Sequence, residues 1–489
     1  MKKIINNFKN WNPSKLVIIL ILLFPLCYYL IEEFQLDNDF WFLVNTGKNI
    51  LQEGFIHVEP FTIHTGLAYI PQQWLTCVLF YFIFHYFGMR GMFFFLVSCY
   101  IIITIICYKL AYMVSSSKKN SMLITLLFNC MAIKIVMVTR PQTLDLIFFL
   151  AELYILELYI KKGNKKALYF LPLLSLIIIN FHASMWMMFF VFLAPYYAEY
   201  IISKWKKEET FEIKPLIISS VLSLMIGFIN PYGIGTMTYL FRSYGIENIN
   251  NYVSEMQPFY VKGYASVIVL FILCLVVFSF YYNKGQNKVR YFLLATGTMY
   301  LFITHSKGLP FFIVTFPLVL GYNFKDDRKL KNRQMFKIEK IIYSVIIVTL
   351  FILTLITTKM DDDEVLKEIA NYLDKNATTS VKLYTNYEDG SYMEYKGYKC
   401  YIDPRAEIFL KSNNKKKDIF DEYYNLYYGK LDAKGFLENY NFDYLLVDKR
   451  EIYLLNELKN NQNYQEVYSH KIEKDKKNKT TKYLYKRIK

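Results

Sequence analysis

Phosphate-cradling loops are missing from this chain. It has neither a Walker A run nor a Gly-x-Gly-x-x-Gly motif, so ATP-driven transport has no support. Cysteine is scarce, seven in 489 residues. There is no Cys-x-x-Cys pair and no Cys/His cluster at zinc spacing. Most of the cysteines lie inside apolar segments, where such a residue is a small packing group. Cys400 is the only one after residue 358, so that part has no internal disulfide. A convincing small-residue cleavage site is also lacking after the basic stretch Met1–Lys15 and the apolar stretch Leu16–Ile31. The pair reads as a retained first span rather than a signal peptide. Charges are few inside the apolar runs and no internal repeat is evident, and both count against a transporter.

What the chain has in abundance is apolar and aromatic surface, 54% hydrophobic and 18% aromatic. Apolar runs of roughly the 17–25 residues that cross a bilayer recur from Leu16 to Thr357. Candidate spans cover 16–31, 91–113, 121–137, 143–160, 167–181, 184–203, 215–229, 264–282, 290–304, 309–323 and 339–358. An ordinary soluble protein is excluded. The residues after 358 are polar, charged and Tyr-rich, with no membrane-length run. The net charge of +16 lies largely in short clusters between apolar segments, the positive-inside pattern, and does not call for a nucleic-acid partner.

One more apolar helix, 73–87, contains His85 and is followed by Gly88 and Arg90. If it crosses, Lys118-Lys119 and Lys161–Lys166 fall outside. If it lies along the outer interface, the basic clusters fall inside together: the amino end, Lys118-Lys119, Lys161–Lys166, Lys204–Lys214, Lys284–Arg290 and Lys325–Lys340. The charge rule selects the second arrangement. The expected architecture is a polytopic α-helical membrane protein of about eleven transmembrane helices plus juxtamembrane helices. Residues 1–358 form the membrane domain, with a first outer loop at 32–90, and 359–489 a C-terminal extracytoplasmic α/β domain. The amino end is cytoplasmic. Richness in Lys, Asn, Ile and Tyr suggests an AT-rich bacterium, and hence a bacterial plasma membrane.

This topology, chosen on lysines alone, brings Asp37, Asp39, Gln72, Gln73, Arg140, Gln142, His182, Asn230, His305 and Lys307 to the outer ends of spans. Two carboxylates at i and i+2 beside a span are functional candidates. Such a group accepts a proton from an attacking hydroxyl or holds a divalent cation, Mg or Mn, if one is used. The plainer reading is a solvated loop start with Trp41 and Phe42 as interfacial anchors. Pro141 suits a first helical turn. Arg140 lies on the face where positive charge is disfavoured and needs an anion: a lipid headgroup, Asp145, Glu59 or a substrate phosphate. His182, in Asn180-Phe181-His182-Ala183-Ser184, is either a hydrogen-bonded structural residue or a chemical one. Asn230-Pro231-Tyr232-Gly233 reads as turn punctuation. His305-Ser306-Lys307-Gly308 is a plain short loop, or supplies Lys307 as a second phosphate contact beside Arg140.

Beyond residue 358, strands are expected at Val381–Thr385, Lys399–Ile402 and Tyr444–Val447. Helices are expected at Asp361–Lys375 and Glu451–Asn460, and a terminal hairpin at Val467–Ile472 and Lys482–Arg487. Lys474–Lys482 is a solvated charge run, and Asp403-Pro404-Arg405 reads as a turn salt bridge. Asn376-Ala377-Thr378 and Asn478-Lys479-Thr480 fit the glycosylation sequon.

Taken together these residues resemble the bacterial and archaeal branch of the GT-C glycosyltransferase superfamily. The resemblance covers most of the chain. Asp37-Asn38-Asp39-Phe40-Trp41-Phe42, then Gly47, Gly54, Pro60-Phe61-Thr62, Gly66 and Gln73-Trp74-Leu75, is similar to the family's first outer loop. Thr139-Arg140-Pro141-Gln142, Asn180–Ser184 and Asn230–Gly233 resemble later signatures. Tyr387–Tyr395 and Tyr401–Arg405 resemble the GGY and DGR-like stretches of the soluble domain. Two departures stand out: Leu43 where a His often follows the paired aromatics, and Pro404 where Gly usually precedes Arg405. The resemblance implies an inverting transfer of sugar from a polyprenyl-phosphate-linked donor to an extracytoplasmic glycan, lipid or protein. It implies an acidic residue of the first loop, Asp39 first and Asp37 second, as base or metal ligand. Arg140 and Lys307 would hold the donor phosphate, with Gln142, His182, His305 and Gln73 around the substrate and the lipid tail in a groove between spans. The rival expectations are a lipid-linked saccharide flippase and a non-catalytic envelope-assembly scaffold.

Overall fold

The computed structural model describes residues 12–242, 246–261, 263–283, 288–326, 336–361, 364–470 and 481–488. Most of the basic amino end, the starts of the 284–290 and 327–340 basic stretches, the Asn478 sequon and nearly all of the Lys474–Lys482 run lie outside them. Two compact units form. One comprises Met1–Phe34, Arg90–Met237 and Val253–Met360; the other comprises Gln35–Met89, Thr238–Tyr252 and Asp361–Lys489. The first loop, grouped in the sequence with the membrane segments, is thus part of the same unit as the C-terminal residues.

In the first unit each of the eleven expected apolar segments is helical. Among the described residues four helices have the length and composition to cross a membrane: Trp74–Ser115, Lys118–Val136, Ala183–Trp205 and Lys337–Thr357. The apolar helices Lys15–Leu30, Ile213–Ile226, Ser266–Tyr282 and Val289–Thr304 are shorter. Local chemistry sets the ends. Ser117 caps Lys118–Val136 by accepting from the Asn120 amide, as a Ser N-cap does. Gly163, at φ 63°, ends Gln142–Lys162 in the left-handed conformation that glycine adopts at little cost. Val289–Thr304 and Leu309–Asn323 form a hairpin whose turn needs Gly308, because a Cβ there would stand 2.6 Å from the Leu301 carbonyl. Arg290, buried, donates from Nε to Glu157 at 2.9 Å and also pairs with Glu199, while the Tyr291 hydroxyl donates to Glu157 at 2.8 Å. The scarcity of charge expected inside the apolar runs therefore needs correcting. Glu152, Glu157, Glu199 and Arg290 are all buried, and sequence gives no way to see that Arg290 pairs with both Glu157 and Glu199.

The second unit is built on a five-stranded sheet. Its strands are Lys382–Tyr384, Lys399–Cys400, Tyr444–Asp448, Tyr464–His470 and Lys482–Arg487. Lys382–Tyr384 pairs in parallel with both Lys399–Cys400 and Tyr444–Asp448. Tyr444–Asp448 pairs antiparallel with Lys482–Arg487, and that strand with Tyr464–His470, with a bulge at Glu466/Tyr468. Tyr444–Asp448 is buried along its whole length, as a central strand covered on both faces must be.

The first loop is mostly ordered structure. Asn38–Glu53 is a helix, capped by Asp37 and ended by Gly54 at φ 92°. Trp74–Ser115 breaks at Gly88 (φ 59°, ψ −158°), which separates the expected 73–87 helix from the 91–113 segment. The portion before the break packs on Asn38–Glu53 through Phe80 and Phe84, whose rings lie 6.0 and 5.1 Å from Phe40. Trp41 and Phe42 are buried rather than interfacial anchors. Trp41 is held edge-on between Phe84, 5.6 Å away, and Tyr392, 4.9 Å away. The two helices come closest at Gly47, where a Cβ would lie 2.1 Å from the Cys77 carbonyl oxygen.

Gly47→Ala should therefore force these helices apart and cost about 1–3 kcal/mol. Thermal unfolding of the purified protein checks this. An unchanged melting temperature would contradict the close approach.

Candidate active site

In the second unit the position of Asp39 is fixed from three directions. Asp37 Oδ1 accepts the Asp39 amide at 3.0 Å and the Asp37 carbonyl accepts the Phe40 amide, so Asp37 serves as the N-cap. The carboxylate of Asp39 then sits in the first turn, where the helix dipole favours negative charge. Ser391 Oγ donates to the Asn38 carbonyl at 2.7 Å. That serine lies on the helix Gly390–Tyr395, whose start requires glycine, because a Cβ on Gly390 would stand 1.9 Å from the Ile402 carbonyl oxygen. Trp41, two residues on, is locked into its aromatic pocket. Tyr387 lies within the electrostatic reach of Asp39: burial pushes its hydroxyl well up, and the Tyr424 and Asp39 charges add to the shift.

Beneath this lies Arg405. Its guanidinium is buried and donates to Glu59 at 2.9 Å, to Asp403 at 2.9 and 2.5 Å and to Glu394 at 3.4 Å. The Tyr69 ring lies 4.8 Å away. Asp403 and Arg405 do form the expected salt bridge, within a larger group. Glu59 also accepts from the Phe61 and Thr62 amides and the Thr62 hydroxyl. Three carboxylates around one cation would leave an excess of negative charge. Burial, and then Asp403, push the Glu394 carboxyl well up, so it keeps its proton.

In the first unit His182 Nδ1 pairs with Asp145 Oδ2 at 2.6 Å, both buried. The Lys307 charge acts on the same carboxylate. Arg140 donates to Glu255 at 2.5 Å. Glu255 is thus one anion that Arg140 takes, and it was not among the expected partners. The Glu255 segment is tied to the His305–Gly308 turn by the Ser306 amide on the Gln257 carbonyl, 2.9 Å, and the Phe259 amide on the Ile303 carbonyl, 3.1 Å. His305 Nδ1 lies 3.1 Å from the Thr304 hydroxyl. Arg140, Asp145, His182 and Lys307 accordingly belong to one connected polar group, with Glu255 and Gln257. Among the described residues, no donor reaches the buried acceptors Gln142 Oε1 and Gln73 Oε1. The Asn230 side chain closes its own turn, accepting from the Tyr232 amide at 2.9 Å and donating to the Gly227 carbonyl at 2.8 Å.

A divalent cation is the other role open to Asp37 and Asp39. Among the described residues no group of three or more His, Cys, Asp or Glu side chains is arranged to hold a metal. Asp37 already spends one oxygen on the cap. The pair fits a Mg-type ion only in the mode where one or two carboxylates share it with water and a substrate phosphate.

Sequence reasoning missed Glu255, Ser391 and Glu394. Ser391 and Glu394 fall inside the GGY-like stretch, which flagged the segment but not the roles. Glu255 has no local signal, because its partner is 115 residues away.

No family model and no curated protein matches this chain. Two solved structures share its fold. The Archaeoglobus fulgidus oligosaccharyltransferase tethered with an acceptor peptide aligns over 89% of this chain and 69% of its own, at TM-score 0.59 and 10% identity. The archaeal oligosaccharyltransferase AglB from Archaeoglobus fulgidus, in complex with an inhibitory peptide and a dolichol-phosphate, aligns over 88% and 69%, at TM-score 0.57 and 8% identity. At such identities the likeness is one of fold, and the fold is of GT-C type.

The C-terminal sheet carries a pH-sensitive group. Glu451 is buried, accepts the Tyr384 hydroxyl at 2.6 Å and the Asp448 amide at 2.8 Å, and burial pushes its pKa from 4.5 to about 8. The folded protein holds this proton through a range in which the unfolded chain has lost it. Its contribution to stability is therefore fully present below about pH 4.5 and lost as pH rises to about 8. Melting temperatures measured from pH 5 to 8 should fall, and Glu451→Gln should flatten much of that slope. An equal slope in the variant would contradict the assignment.

Proposed function

We propose that this protein is a membrane glycosyltransferase that moves a sugar from a polyprenyl-phosphate-linked donor to an acceptor outside the cytoplasmic membrane. The observation that carries the reading is the placement of Asp39, half-buried and fixed by its cap, by Ser391 and by the Trp41 pocket, in a chain with the oligosaccharyltransferase fold. The two solved neighbours are described with an acceptor peptide and with a dolichol-phosphate, respectively, and a lipid-phosphate donor with an external acceptor is the matching reading here. About eleven spans, an inside amino end and an outside C-terminal part follow from the lysine distribution.

In this scheme Asp39 takes the proton from the acceptor's attacking group, or orients a cation shared with the donor phosphate. The new bond forms at the anomeric carbon as the bond to the lipid phosphate breaks, with inversion. Lys307 and Arg140 stabilise the charge that develops on the departing phosphate; Arg140 must exchange Glu255 for it. His182, held by Asp145, His305, Gln142 and Gln73 are the further substrate contacts of this reading.

One observation favours a second reading. Glu152 is fully buried in the Gln142–Lys162 helix and neither of its carboxylate oxygens has a partner. A polar residue there is what a lipid-linked saccharide flippase would carry.

The test is release of lipid phosphate by the purified protein from a panel of polyprenyl-phosphate sugars, with acceptor glycans, lipids and peptides supplied. Asp39→Asn should lower release about a hundredfold or more while remaining folded and inserted. Arg140→Gln should weaken donor use far more than protein abundance. Release indifferent to Asp39, or no release from folded wild-type protein, would remove the transferase reading. Transbilayer movement of the same lipids in vesicles, lost in Glu152→Leu, would replace it with the flippase.

A further inference from the structure

A run of tyrosines in the second unit extends from the neighbourhood of Asp39 to the surface. Tyr387 lies 6.4 Å from Tyr424 between ring centres, and Tyr424 lies 6.3 Å from Tyr428. Tyr252 stacks on Tyr424 at 4.2 Å with the rings within 5° of parallel, and on Tyr428 at 5.7 Å. Phe420 supports the run from below, 4.9 Å from Tyr424. Exposure rises along it: Tyr387 and Tyr424 are half-buried and Tyr428 is 48% exposed. Beside the rings stands an exposed ion pair, Arg450 to Glu388 at 2.8 Å, whose charges act on Tyr427 and Tyr424 respectively.

The chemistry of this surface is selective. A lipid tail would be met by aliphatic side chains without hydroxyls. A run of phenolic rings offers flat apolar faces edged by hydrogen-bonding groups, and the neighbouring carboxylate and guanidinium offer paired acceptors and planar paired donors. Pyranose rings present the complementary pattern, an apolar face of C–H groups bordered by hydroxyls. Tyr252 covers a face of Tyr424, so the ring open to a sugar is that of Tyr428, with Tyr424 and Tyr252 stacked beside it, and the run begins where Asp39 acts on Tyr387. Stacked tyrosines are also rigid, so little ordering is needed on binding.

We infer that Tyr424, Tyr428 and Tyr252, with Glu388 and Arg450, form a platform that binds a saccharide chain. Resting on the transferase reading, it makes the acceptor a glycan rather than a peptide. The chain lies along the tyrosines with its reacting end toward Asp39.

Binding is measured without any donor, so it is separable from transfer. The full-length protein in nanodiscs is titrated calorimetrically with oligosaccharides of hexose or N-acetylhexosamine, and with a peptide carrying Asn-x-Thr. The wild type should bind at least one saccharide and not the peptide. Tyr428→Ala should weaken binding about tenfold, the equivalent of about 1.4 kcal/mol, Arg450→Gln should weaken it too, and Tyr428→Trp should keep it; Tyr428 is exposed, and a melting curve confirms that each variant is folded. Donor turnover without saccharide binding, or binding indifferent to Tyr428 and Arg450, overturns the platform and leaves the transferase standing. Peptide binding lost in Tyr428→Ala also overturns it. Saccharide binding that depends on Tyr428, with no donor ever turned over, keeps the platform and removes the transferase reading.

Discussion

A guanidinium removed from water must be surrounded by acceptors or it unfolds the structure around it. Arg405 draws in Glu59, Asp403 and Glu394 through Nε and Nη2, with the Phe61 and Tyr69 rings against the guanidinium, and the arrangement organises the rest of the second unit. Glu59 can reach Arg405 only if the 57–69 hairpin is folded, because the same carboxylate holds the Phe61 and Thr62 amides. With the hairpin in place, Thr62 pairs beside Cys400 at the sheet edge, the Ile63 amide bonds the Cys400 carbonyl, and His64 reaches the Tyr401 carbonyl at 2.8 Å. Burial lowers the His64 pKa, so this last contact belongs to a neutral ring. An electrostatic requirement at one residue thereby becomes a fixed first loop on the C-terminal sheet, and with it a fixed Asn38–Glu53 helix bearing Asp39.

The two departures from the family pattern make sense on these terms. Leu43 is fully buried in the first-loop helix, where it serves packing. Pro404 precedes Arg405, whose φ of −82° is ordinary for any residue. The Pro404 carbonyl accepts the Tyr387 hydroxyl at 2.7 Å. This bond joins the Arg405 turn to the start of the tyrosine run. In the other unit the same economy appears at His182, which is both a structural hydrogen-bonded residue, through Asp145, and a member of the polar group around Lys307.

Local patterns were legible in the sequence. Long apolar runs read as helices, and each of the eleven expected segments is helical. Expected strands at 381–385, 399–402, 444–447 and 482–487 fall within a residue or two of those observed, because β-branched and aromatic residues flanked by turn residues leave few choices. The separation of 73–87 from 91–113 matches the break at Gly88. Contacts between distant residues were not legible. Glu59 and Arg405 are 346 positions apart, and Asn38 and Ser391 are 353 apart. No periodicity reports such pairs, so the first loop was grouped with the membrane segments rather than with the C-terminal residues, and Glu255 was not foreseen as a partner of Arg140. The buried trio of Glu157, Glu199 and Arg290 escaped for the same reason.

Hydrogen exchange of Arg405→Met tests the organising role of this residue most directly. Removing the cation leaves its carboxylates buried without it, which costs about 3–5 kcal/mol. Amides of 59–69 and 399–405 should lose protection together, followed by those at the start of the Asn38–Glu53 helix, while amides of the Leu309–Asn323 helix keep theirs. Protection of 59–69 at the wild-type level in the variant would contradict the account, because the first loop would then be held in place by something other than Arg405.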